Sequence, residues 1–159
     1  MSAVSLRSAT PADAEVVARV WWDGWRDGHL GHVPEALVAV RTAESFRVRA
    51  AGRVADTVVA EVAGQLAGFV MVLGDEVEQV FVSAGHRGSG VATLLLAEAE
   101  RLVAGSGAGR AWLAVVDGNT RARRFYERCG WVDDGPLDYA AEVSGGTIAV
   151  PVRRYVKTL

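Results

Sequence analysis

Apolar positions along the chain recur with two periods, and the switches between them mark its elements. Val4-Ser5-Leu6-Arg7 alternates like a short strand. Thr10-Pro11-Ala12-Asp13 then supplies an N-cap, a proline at the first helical position and an acid at N3, so a helix starts there. Its apolar face carries Ala14, Val17, Trp21 and Trp25, with Trp22 off that face. Gly24, Gly28 and Gly31 break this helix towards its end, and His29, His32 and Pro34 predict a loop before a second helix around Glu35 to Val40.

Thr57 to Val62 and Leu66 to Leu73 are strands joined by Ala63-Gly64-Gln65, and Val77 to Val82 follows Gly74-Asp75-Glu76, which makes an antiparallel meander. Val91, Leu95, Ala99 and Leu102 then recur at helical spacing, so a helix runs from Val91 to about Ala104 and ends in Gly105-Ser106-Gly107-Ala108-Gly109. The strand Ala111 to Val116 comes next. Because the helix between them is a crossover, the strands ending at Val82 and Val116 run parallel. Asp117-Gly118-Asn119 turns the chain into a helix from Thr120 to Cys129, stopped by Gly130, with Ala122, Phe125, Tyr126 and Cys129 facing inward. Trp131-Val132 starts another strand, and Val150 to Val156 is the last, pairing with it as a hairpin. Gly135-Pro136-Leu137-Asp138-Tyr139 and Ser144-Gly145-Gly146 read as a long turn-rich connection between them, of the kind that borders binding sites.

Composition narrows the classes. A chain of 159 residues that is half hydrophobic fits one domain, 1–159, with a sizeable core. A formal net charge of −2 gives no basic field for nucleic acid or an anionic membrane. Arg121, Arg123, Arg124 and Arg128 read as a solvated helix face rather than a nucleic-acid patch. The amino terminus shows no basic segment followed by an apolar run, and no stretch reaches the roughly 18 apolar residues of a membrane span, so a cytoplasmic location is expected. Cys129 is the only cysteine, which excludes an intramolecular disulfide and a cysteine-rich metal site. His29 and His32 have no third ligand in view and read as exposed loop residues, so no metal is expected.

Chemistry concentrates between Val82 and Val91. A strand, a glycine-rich turn and a helix start meet there, and Gly88 and Gly90 allow positive φ with no Cβ in the way. Several backbone N–H groups can therefore converge on an oxyanion at a helix N-terminus, a phosphate or pyrophosphate. No lysine follows Gly90 as a P-loop requires, and Thr93 stands where a dinucleotide fingerprint has its third glycine.

The spacing Arg87-x-x-Gly90-x-Ala92 resembles the coenzyme A pyrophosphate motif of the GNAT superfamily of N-acetyltransferases. A second stretch, Asn119 to Trp131, is similar to that superfamily's pattern of Asn, a helix bearing Phe125-Tyr126-Glu127, then Gly130 and an aromatic. Weaker similarity extends to Trp25-Arg26 with Gly31 and Pro34, and to Gly145-Gly146 with Arg154-Tyr155. The resemblance implies an α/β (α+β) fold, with a mixed, mostly antiparallel sheet of about six to seven strands flanked by about four helices. The sheet would be splayed between the strands ending at Val82 and Val116, and acetyl-coenzyme A would lie in the gap.

By resemblance, the amides of Gly88, Ser89, Gly90, Val91, Ala92 and Thr93 would hold the pyrophosphate, flanked by Arg87. The strand edge at Phe81 and Val82 would face the pantetheine, and Asn119 would complete the cofactor site. Tyr126 would protonate the leaving thiolate, and the Val82 N–H would donate to the thioester carbonyl. Glu78 is the candidate base, with Asp117 and Glu61 lesser options. The position before the turn, often proline in the superfamily, is Ala84-Gly85 here, and Cys129 has no superfamily role and reads as a small buried hydrophobe.

The acceptor, an amine-bearing molecule, is expected between the Trp25 to Pro34 segment and the Asp138 to Gly146 connection, with Trp25 and Tyr139 in its pocket. Asp23, Asp27, Asp138 and Glu142 would make that mouth negative and favour a cationic amine. A homodimer is compatible with this reading. The competing reading is an acyl-coenzyme A sensor or scaffold that transfers nothing.

Overall fold

The computed structural model describes residues 3–159; Met1 and Ser2, part of the amino-terminal stretch read above, lie outside the described residues. The chain runs β1 (Val4–Ser8), a 3-10 turn at Pro11–Asp13, α1 (Ala14–His29), α2 (Glu35–Val40), α3 (Ala43–Gly52), β2 (Thr57–Val62), β3 (Gln65–Leu73) and β4 (Glu76–Val82). It continues through α4 (Val91–Gly105), β5 (Arg110–Val116), α5 (Thr120–Arg128), β6 (Val132–Val143) and β7 (Gly146–Thr158). No described helix is long and apolar enough to cross a membrane.

The strands form one mixed sheet in the order β1-β2-β3-β4-β5-β7-β6. Among the described residues its only parallel pair is β4 with β5, as the crossover through α4 requires. That pair shares a single position, Glu76 with Trp112. β3 holds β4 on one side, while β7 holds β5 from Arg110–Thr158 to Val116–Val152 on the other. Each half-sheet completes its own ladder, so the two part above Glu76 and leave a V-shaped gap.

Two apolar layers cover the sheet. On one face Val17, Trp21 and Trp25 of α1, Leu37 of α2 and Phe46 of α3 pack on Val59, Phe69 and Met71. On the other, Val91, Leu95, Ala99 and Val103 of α4 pack on Val70, Val77, Leu113 and Trp131. Burying a Leu or Val side chain is worth about 1.5–3 kcal/mol, so these faces hold the helices in place.

A bulge in β4 decides which side chains face which layer. Met71 pairs with Gln79 but Val72 with Val77, leaving Glu78 as the extra residue. Val77, Val80 and Val82 thus face the α4 layer, and Glu76, Glu78 and Gln79 all line a cavity on the other face. Strict alternation would have put Glu78 on the side of Val80 and Val82.

Two sequence expectations need correction, and one helix was not expected. α1 does not break at Gly24 or Gly28 but runs through both to His29. A Cβ at Gly24 would overlap the Phe81 ring, and one at Gly28 would meet the Asn119 amide at 2.7 Å, so these glycines are sites of close approach. The long connection after Val132 is mostly strand: β6 and β7 pair as one hairpin across Ser144–Gly145. The glycine and proline read as a turn sit at a register shift between Asp133 and Pro136, where Gly135 takes φ +101°. Finally, α3 had no counterpart in the sequence reading.

The Gly24 contact has a measurable consequence. Alanine gains about 1 kcal/mol over glycine in a helix interior, whereas overpacking costs about 1–3 kcal/mol. Gly52 also lies in a helix, but a Cβ there would meet nothing within 4 Å. Gly24→Ala is therefore expected to melt below Gly52→Ala in thermal denaturation; the reverse order would mean that Phe81 yields freely.

Candidate functional site

The turn between β4 and α4 is built from left-handed glycines and unused donors. Gly88 has φ +75° and Gly90 φ +86°, and Gly90 caps α4 with no side-chain hydrogen bond. The first three amides of α4, at Val91, Ala92 and Thr93, have no intrahelical acceptor by construction. A Cβ at either glycine would meet no protein atom within 4 Å. Their conformation and the open space above them, not packing, are what require glycine, and the result is a concave set of donors fit for a pyrophosphate. Ser89 does not line the cleft here; its hydroxyl bonds the His86 carbonyl. Arg87 does line it, and its guanidinium is held by Asp27 of α1 at 2.7 Å.

From the turn a cavity of about 430 Å³ follows the open edge of β4 past Val80, Phe81 and Val82 to Asn119 and Tyr126. Ser83 N–H bonds the Ala67 carbonyl of β3 at 2.8 Å, so by alternation the N–H and C=O of Val82 and Val80 point into the gap. Asn119 accepts from the Ala122 N–H at 3.3 Å and so starts α5. That fixes Tyr126 two turns on, with its ring among Phe125, Trp131 and Tyr155 at centroid distances of 5.3–6.4 Å.

Two tyrosines meet there with different partners. The Tyr155 hydroxyl donates to Glu127 at 2.6 Å and accepts from Arg123 at 3.1 Å. The Tyr126 phenol has no such partner and opens on the cleft; burial pushes its pKa well above the usual phenol value, so it stays protonated at neutral pH.

A second cavity, of about 400 Å³, opens on the other face of the sheet. Trp25 and Tyr139 both line it, with Gln79 of β4 and Ala114 and Val116 of β5 where the strands part. Glu78 lines it too, but Arg53 binds both its oxygens, at 3.1 and 2.8 Å. Glu76 accepts a 2.6 Å bond from the Tyr139 hydroxyl. Burial, opposed by that bond and reinforced by Glu78 and Asp75, pushes Glu76 up to about 7.

His29 is not an exposed loop residue. Its ring stacks on Trp25, donates from Nδ1 to the Trp25 carbonyl at 3.0 Å, and is held by burial down to about 4. Of the four acids expected at the mouth of this cavity, Glu142 lines it and Asp138 does not, while Asp23 and Asp27 lie at a separate cleft beside Ser83 and Arg87; Arg41, Arg49 and Arg53 face the cavity as well.

Residues 17–131 match the family model described as the acetyltransferase (GNAT) family. The chain belongs to the GNAT acetyltransferase family. An uncharacterized N-acetyltransferase of Mycobacterium tuberculosis is 34% identical over 77 residues, which cover 45% of this chain and 49% of that protein. The chain thus aligns with about half the length of the curated relatives it matches. A GCN5-related N-acetyltransferase from Rhodopseudomonas palustris has a similar fold, with TM-score 0.77 and 24% identity over 100% of this chain and 98% of that one. The structure of yncA, a putative acetyltransferase from Salmonella typhimurium with its cofactor acetyl-CoA, superposes with TM-score 0.71 and 17% identity over 99% and 95%.

Within this GNAT fold, the residues singled out from sequence fall into two groups. Arg87, Gly88, Gly90, Val91, Ala92, Thr93, Phe81, Val82, Asn119 and Tyr126 line one cavity; Trp25, Tyr139 and Glu78 line the other. Glu76, Arg41 and Arg49 were missed. The pairing of Glu76 with Tyr139 joins residues 63 positions apart, and no local pattern carries it.

Proposed function

We propose that this protein transfers an acetyl group from acetyl-coenzyme A to a primary amine held in the 400 Å³ cavity, by direct attack in a ternary complex. The observation that carries the reading is the V between β4 and β5, with an anion turn and a free phenol on one cavity and two carboxylates on another. Acetyl-coenzyme A supplies an activated acyl carbon. The turn from Arg87 to Thr93 holds its pyrophosphate, and the free groups of Val80 and Val82 pair with the pantetheine amides as an added strand would. The Val82 N–H donates to the thioester carbonyl.

The amine nitrogen forms the new C–N bond, the C–S bond breaks, and the thiolate takes the Tyr126 proton; the second N–H proton, lost as the amide forms, passes through solvent and restores the phenol. The ammonium form of the acceptor must first lose a proton, and it goes to the acidic pair on β4. Glu78 is the member nearer the open end of the gap; Glu76 is the member that exchanges protons near neutrality. A sensor that binds acyl-coenzyme A without transfer needs only the first cavity.

Incubation with acetyl-coenzyme A and a panel of primary amines is expected to release free thiol in an acceptor-dependent way. Tight cofactor binding with no release for any amine would favour the sensor. Because protonated Glu76 cannot accept a proton, kcat/KM is expected to rise with pH through about 7 and then level. Glu76→Gln should remove that rise and Glu78→Gln should keep it. An unchanged profile in Glu76→Gln would take Glu76 out of the proton path.

A further inference from the structure

The cavity assigned to the acceptor has an acidic wall and a cationic wall. Glu76 and Glu78 stand on its strand side, Arg41 and Arg49 on its helix side. Arg53 is already ion-paired, bidentate to Glu78 and bonded to Asp56 at 3.1 Å. The other two arginines are not. Arg41 is 6% exposed and donates one N–H to the Glu142 carbonyl at 2.7 Å. Arg49 lies over the Trp21 ring at 4.2 Å and near Phe46 at 5.2 Å, and its Nη1 is buried with no hydrogen-bond partner. Among the described residues, neither joins an ion pair; Glu142, which also lines the cavity, acts on both through space, as Glu78 does on Arg49. Burial lowers Arg49 to about 10, which leaves it charged at neutral pH.

A buried cation with no carboxylate in contact is unfavourable, and so is a buried donor without an acceptor. The aromatic faces offset part of this for Arg49. Stacking occupies the flat face of a guanidinium, however, and leaves its N–H edge free, a fork that matches two carboxylate oxygens. We propose that Arg41 and Arg49 bind a carboxylate of the acceptor, so that the substrate is an amino acid or another amino carboxylate. This rests on the reading of the cavity as the acceptor site. The substrate lies as a zwitterion across it, amine towards Glu76 and Glu78 and carboxylate towards the α2–α3 boundary, with Trp25, Leu37, Val116 and Val152 along its hydrocarbon body. A polycationic amine would set like charge against both arginines. The cationic acceptor expected from Asp23, Asp27, Asp138 and Glu142 gives way to this one.

The test compares each of the twenty standard α-amino acids, β-alanine and 4-aminobutyrate with its own carboxamide. Thiol release from acetyl-coenzyme A gives kcat/KM, and calorimetric titration into protein loaded with coenzyme A gives affinity without turnover. At least one free acid is expected to exceed its amide by about tenfold or more in both, the scale of one charge-assisted hydrogen bond. In Arg41→Gln and in Arg49→Lys, which keeps the charge but loses the fork, that preference should shrink to within about threefold. The wild-type comparison stands even where a variant folds poorly. Acid preference in titration without thiol release would uphold the carboxylate site and reject acetyl transfer. Amides bound and acetylated as well as every acid would overturn the proposal.

Discussion

Gly90→Val is expected to abolish acetyl-coenzyme A binding while leaving the protein folded. Gly90 sits at φ +86°, ψ 0°, a left-handed conformation at the cap of α4 that a β-branched residue adopts only under strain. That strain is of order 1–3 kcal/mol, against a typical stability of about 5–15 kcal/mol, so most of the fold survives. For a chain of this size the melting point should fall by roughly 2–12 °C. Nothing in the protein opposes the new side chain, since no atom lies within 4 Å of a Cβ there. The valine therefore projects over the uncapped amides, and any backbone adjustment that relieves the strain turns those amides away from a common point. Calorimetric titration should show no measurable binding in a variant whose circular dichroism is intact. Unchanged affinity would remove the turn from the cofactor site.

How much of this was legible beforehand follows from the range of each interaction. The anion turn was readable because a positive-φ glycine and a helix start are local, and Gly88, Gly90 and Val91 stand together in the chain. The meander, the α4 crossover and the parallel sense of β4 and β5 followed from periodicity and connection rules. The splay did not: it depends on β5 pairing along its full length with β7, some forty residues later in the chain, and entered only through the family resemblance. α3 was missed because its buried residues, Phe46 and Ala50, are too few to set a visible stripe against Arg47, Val48 and Arg49. Gly135-Pro136 read as a turn because a register shift within a hairpin uses the same residues.

The acceptor cavity was the least legible part. Glu78 faces it because of the β4 bulge, which no residue type announces, and its ion pair with Arg53 spans 25 positions. Arg41 and Arg49 belong to no sequence motif, and only the packing of α2 and α3 over the sheet brings them to the cavity. A charge argument from nearby acids therefore left out the arginines that packing brings to the same cavity.

Tyr126→Phe is expected to lower kcat by roughly 10²- to 10⁴-fold, the usual contribution of a general acid, with little change in the affinity for acetyl-coenzyme A. The substitution removes one oxygen and keeps the ring among Phe125, Trp131 and Tyr155, so α5 and the cleft wall stay in place. Burial raises the phenol pKa, which keeps the proton available at neutral pH but makes the group a weak acid in isolation. Its effect must therefore come from position, next to a thiolate whose charge exists only as the C–S bond breaks. An interaction that appears only then affects turnover and not ground-state binding. Tyr155 supplies the control: its hydroxyl is bonded to Glu127 and Arg123, so Tyr155→Phe should act on stability rather than on the chemical step. If Tyr126→Phe turns over at the wild-type rate, Tyr126 is a packing residue and the thiolate leaves without help from this phenol.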